Sequence, residues 1–132
     1  MFLPFEVDLI ARLDGVARGA FENLEVIDRF PDPVSKKVVS ILLQQACQSQ
    51  HIGSINVARK AIARIPNGWL ALVLDELVAE SLDLSDEWEY RRLLELLALN
   101  LVDQLSVYIR HGIESLDTEI CHAAEDYSRR LE

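Results

Sequence analysis

Cys47 and His51 stand four residues apart, a spacing that puts two side chains on one helical face and would give a zinc ion two of the three or four ligands it takes. Cys121 and His122 are adjacent, so on a helix they diverge by about 100° and cannot chelate together. A core-filling cysteine and a histidine at a helix end account for the first pair without a metal. Serines and histidines are present, but no Gly-x-Ser-x-Gly elbow, Cys-His signature, Gly-rich phosphate loop or dinucleotide fingerprint occurs. The acidic clusters Asp75-Glu76, Asp86-Glu87-Glu89 and Glu125-Asp126 fall on different helices, mostly at caps or on outer faces, where solvated charge is the economical reading. No catalytic residue, metal ligand or cofactor is therefore assigned. An alternative with chemistry in it is a small enzyme or ligand site with a dispersed polar constellation, near the first repeat, where His51, Cys47 and neighbouring carboxylates would meet.

A different set of residues suits binding. Trp88 lies three residues before Arg91 and four before Arg92, positions from which an indole can stack on a guanidinium or stand out as an anchor for a partner. Packing of that indole against a neighbouring hairpin is the structural alternative. Arg59, Lys60, Arg91, Arg92 and His122 take corresponding places in three look-alike segments and would form a basic stripe suited to a carboxylate-bearing peptide or acidic partner. The same cations could instead form a ladder of inter-repeat ion pairs with Glu87, Glu95, Glu119 and Glu125.

The elements that must carry these residues are helical. Five glycines and four prolines in 132 residues are sparse punctuation, implying long elements and short turns. Apolar residues at Ile10, Leu13, Ala17, Ala20, Leu24 and Ile27 recur by three and four, predicting a helix from about Phe5 to Arg29 that Gly15 and Gly19 allow to bend or break. Asp32-Pro33 starts a second helix, which fades near Ser49; Ser54 caps a third. Pro66-Asn67 leads into a fourth, ending around Leu82. Ser85 caps a fifth, Asn100 a sixth that stops at Gly112, and Asp117 a seventh running to about Arg130. No segment alternates with period two. The expectation is an all-α chain of seven helices with no sheet.

Three of these segments repeat one pattern. Ala58, Ala61, Ile62 and Ile65, then Tyr90, Leu93, Leu94 and Leu97, then Ile120, Ala123, Ala124 and Tyr127 share the spacing i, i+3, i+4, i+7, at offsets of 32 and 30 residues. A single helical hairpin leaves its apolar face uncovered, whereas three stacked hairpins share a continuous core. The expected organisation is one domain: an amino-terminal capping helix over 1–30, then hairpins 33–65, 68–98 and 100–131 stacked as a short α-solenoid. Ile55 to Ile65, Asp86 to Leu94 and Asp117 to Tyr127 resemble second helices of HEAT-type α-helical repeats, and the middle one is similar to small bacterial proteins of that kind. The resemblance covers residues 33 to 132; its repeats are shorter than the usual length of about forty and lack the usual first-helix proline. It implies a concave, non-enzymatic scaffold for protein or peptide, lined by the second helix of each pair.

Composition narrows the partners. Half the residues are hydrophobic and 27% are charged, a globular balance. Thirteen Lys and Arg against twenty-two Asp and Glu give a formal charge of -9, which repels nucleic acid and anionic membranes. No apolar run is long enough to span a bilayer, and Glu6 and Asp8 interrupt the apolar start as a signal peptide would not. Two cysteines without a framework spacing suggest a reducing, cytoplasmic setting. If the chain pairs with a copy of itself, the contact expected is the amino-terminal helix with Phe2, Leu3, Phe5 and Phe21.

Overall fold

A computed structural model describes residues 4–48 and 50–130. Phe2, Leu3, Ser49 and Glu132 lie outside the described residues. Among the described residues there are seven α-helices, one 3-10 segment and no strand, as the periodicity predicts: α1 (Pro4–Val16), the 3-10 segment Phe21–Arg29, α2 (Asp32–Ala46), α3 (Ile52–Ile62), α4 (Asn67–Ser81), α5 (Glu87–Asn100), α6 (Val102–Ile113) and α7 (Thr118–Arg130). No helix among them is long and apolar enough to cross a membrane.

The chain divides into two compact units, one of residues 1–46 and 50–82, the other of residues 83–132 with 47–49. The division falls between α4 and α5, inside the stretch 68–98 that the sequence suggests as one hairpin. Within the first unit, α2 is central: it packs against α3 and α4, while α1 lies on α2 and α3. Within the second, α6 packs against α5 and α7, and α5 also packs against α7. The helices of the stretches 33–65 and 100–131 pack as neighbours, α2 against α3 and α6 against α7.

All twelve residues of the threefold apolar pattern are buried, which gives that spacing its physical content. Each fully buried Leu or Ile contributes roughly 1.5–3 kcal/mol relative to exposure, so Leu93, Leu94 and Leu97 alone outweigh the surface pairs of α5. Where the helices begin and end departs from expectation. The first long helix is broken: α1 ends at Val16 and Gly19 turns the chain at φ 79, a left-handed conformation that favours glycine. Asn23 Nδ2 donates to the Gly19 carbonyl at 2.8 Å, and Asn23 and Val26 depart from helical angles, so the continuation is two short 3-10 turns.

Capping also shifts. Ser54 lies inside the first turn of α3, whose N-cap is His51 at φ 65. Asp86, one residue after Ser85, caps α5 by accepting from Trp88 N at 2.9 Å and Glu89 N at 3.1 Å; Ser85 instead donates to Asp83. Asn100 closes α5, donating to the Leu96 carbonyl, and Leu101 starts α6 without a side-chain cap. Asp117 caps α7 as expected, accepting from Glu119 N at 2.9 Å and Ile120 N at 3.3 Å.

Gly112 is not a helix stop. It is buried within α6, and a Cβ there would collide with the Tyr90 hydroxyl and stand 2.7 Å from the Ala124 Cβ. Its missing side chain is what lets α5, α6 and α7 meet, with Tyr90 Oη donating to the Tyr108 carbonyl at 2.7 Å. Burial, and then the nearby Cys121, push the Tyr90 phenol up to about 12.

Candidate functional site

In the second unit, Trp88, Arg91 and Arg92 come together on the first two turns of α5. Trp88 is 52% exposed, not packed away as tryptophans usually are. Its place is fixed from two sides. The Asp86 cap holds its backbone N–H, and the Arg92 guanidinium carbon lies 5.9 Å from its ring centroid, within cation–π range. Arg92 Nη1 reaches Glu95 at 3.0 Å, while Arg92 Nε is buried without an acceptor among the described residues, so packing rather than full hydrogen bonding holds that side chain.

Arg91 is the junction of the face. Its Nε donates to Glu87 at 2.8 Å, one turn back, and its Nη1 reaches Asp126 of α7 at 3.4 Å. Asp126 also pairs with Arg129. These carboxylates, Glu87 first, raise Arg91 above the ordinary guanidinium range. His122 is exposed one turn before Asp126 on α7. The arginines of α5 are therefore neutralised locally, by Glu87 and Glu95 within the helix itself and not between repeats, and by Asp126 of α7. Glu125 has another role: it accepts from Cys121 Sγ at 3.3 Å and thereby raises the thiol above its ordinary range.

Arg59 and Lys60 belong to α3 in the first unit. Arg59 is half-buried, whereas Lys60 lines a cleft of about 180 Å³ with Glu6, Phe21, Val57, Ala61 and Arg64. Val57, Lys60 and Ala61 follow the spacing of three and four that puts them on one face of α3, and Arg64 continues it in the turn after the helix. Arg64 is held in place: Nε donates to Glu25 at 3.0 Å, Nη2 at 2.8 Å, and the guanidinium lies 4.9 Å over the Phe21 ring. That bond to Arg64 keeps the Glu25 carboxyl below its ordinary value. The spacing of Lys60 and Arg64, two cations one turn apart beside Val57 and Ala61, was the available sequence signal for this cleft.

Cys47 and His51 do not form the half-site their spacing suggests. α2 ends at Ala46, Cys47 is buried, and the left-handed backbone of exposed His51 opens α3, so no single helix carries both. Among the described residues no three His, Cys, Asp or Glu side chains could hold a metal ion.

No protein-family model matches the chain, and neither a curated protein nor a solved structure matches it.

Proposed function

We propose that this chain is a non-enzymatic, HEAT-like helical scaffold that binds a protein or peptide, and that the α5 face of Trp88, Arg91 and Arg92 is its principal contact. One observation carries this reading: a half-exposed tryptophan on a rigid helix, fixed by a cap at its backbone and a guanidinium at its ring. Tryptophan and arginine dominate binding hot spots because a large ring ordered beforehand loses little entropy on docking. The pairing of Arg91 and Arg92 with Glu87, Asp126 and Glu95 makes the indole the anchor, with the guanidiniums orienting it. Cys47 and Cys121 as thiols, not joined in a disulfide, suit a reducing, cytoplasmic compartment. Pairing of two copies through α1 belongs to the same proposal, since Phe5 is 44% and Val7 55% exposed.

The test is quantitative capture of partners by wild type and Trp88→Ala, with thermal melting of both. Trp88→Ala is expected to lower capture at least tenfold while shifting stability by no more than about 0.5 kcal/mol, as for a surface substitution. Capture unchanged by the substitution removes the indole from the contact, and a large loss of stability returns it to a structural role.

A further inference from the structure

We propose that the cleft on α3 binds a free zwitterionic α-amino acid with an aliphatic side chain, at a site separate from the α5 face. Glu6 of α1 and Lys60 of α3 line this one cleft, yet neither forms an ion pair with the other or with any described residue. Two opposite charges facing a shared space without closing on each other leave a positive pole and a negative pole with a gap between them. The surface across that gap is apolar: the Phe21 ring, Val57 and Ala61.

Arg64 does not compete for the ligand. Glu25 takes its guanidinium at 2.8 and 3.0 Å and its face covers Phe21, so it is a wall that holds the ring in position. What remains is one ammonium, one carboxylate and an apolar floor. A ligand complementary to all three carries a carboxylate for Lys60, an ammonium for Glu6 and a compact hydrocarbon body. At about 180 Å³ the cleft is smaller than the roughly 300–1,000 Å³ of pockets for drug-sized ligands, so it suits one small amino acid better than a nucleotide or a folded peptide segment. Charge-assisted hydrogen bonds at both ends fix the orientation, and the apolar floor selects the side chain. An open cleft of this size gives modest affinity, with a Kd of about 1 mM.

The experiment titrates isotope-labelled full-length chain with L-leucine and follows backbone amide shifts. 4-Methylpentanoate, which lacks the ammonium, and isopentylamine, which lacks the carboxylate, serve as comparison ligands. The expected result is saturable shifts confined to Phe21, Val57 to Arg64 and the first turn of α1, with each comparison ligand about tenfold weaker, the effect of removing one hydrogen-bonded charge. Lys60→Gln is expected to abolish the advantage of leucine over isopentylamine, and Glu6→Gln its advantage over 4-methylpentanoate, both with unchanged thermal melting. Comparison ligands that bind as well as leucine, shifts that do not saturate, or variants that titrate like wild type each overturn the proposal.

Discussion

The first unit is nearly balanced in charge, ten acidic residues against eight basic, whereas the second has twelve against five. Their polar contacts differ in kind as well. In the first unit they join distant parts of the chain. Buried Gln45 accepts from Arg12 Nη1 at 3.0 Å and donates to the Ser54 carbonyl at 3.0 Å, linking α1, α2 and α3. Lys36 pairs with Glu76, Arg64 with Glu25, and Ser40 shares a hydrogen bond with Ser81. In the second unit many polar contacts are local, at the Asp86 and Asp117 caps and within single helices, while Tyr90 to the Tyr108 carbonyl, Arg91 to Asp126 and Cys121 to the Ile113 carbonyl cross between helices. An acidic unit cannot join its helices with opposite charges as freely, and it relies on close approach at Gly112 instead.

The sharpest way to break the second unit is therefore Gly112→Ala. The added methyl meets the Tyr90 hydroxyl, which is held by its bond to the Tyr108 carbonyl, and the Ala124 Cβ at 2.7 Å, and the expected loss is about 3 kcal/mol in urea denaturation. In the first unit the corresponding break is polar. Gln45→Ala removes the buried bridge between Arg12 and the Ser54 carbonyl, with an expected cost of about 2 kcal/mol in the same measurement. A smaller contrast lies at the start of α5: Asp86→Ala should cost about 1 kcal/mol, while Ser85→Ala, at a neighbour that turns to Asp83 and does not cap the helix, should cost clearly less. Equal effects at these two positions would erase the contrast in capping.

The smallest effect is acid sensitivity. Arg64 lowers the pKa of Glu25 in the folded state, so the pair's stabilisation is fully present above the ordinary glutamate pKa and is lost as pH falls through the lowered one. Glu25→Gln should flatten that part of the stability profile between about pH 5 and pH 3, a modest change because the pair is exposed.

The helices and their buried faces were legible because burial enforces periodicity, and the pattern of Tyr90, Leu93, Leu94 and Leu97 is written directly in the spacing. Caps were legible only where one good candidate stood alone. Asp117 had no rival, but Ser85 and Asp86 are neighbours and only geometry decides between them. Gly112 was misread because a glycine after a basic last turn looks like a stop; what requires it is Tyr90, twenty-two residues earlier. The partners of Arg91 and Arg92 within α5 followed from helix spacing, whereas Asp126 lies 35 residues from Arg91 and depends on the packing of α5 on α7. The α3 cleft escaped notice for the same reason, since Glu6 and Phe21 meet Lys60 only in the folded first unit.

The row Glu87, Arg91, Asp126, Arg129 alternates in sign, so its field cancels at a distance, and salt with a Debye length of about 8 Å screens the remainder. Within a unit of twelve carboxylates that makes a neutral window in an acidic coat. A negatively charged visitor is turned away from the surrounding surface and meets no such barrier there. The direction of its approach is then chosen by repulsion elsewhere, not by attraction at the point of contact.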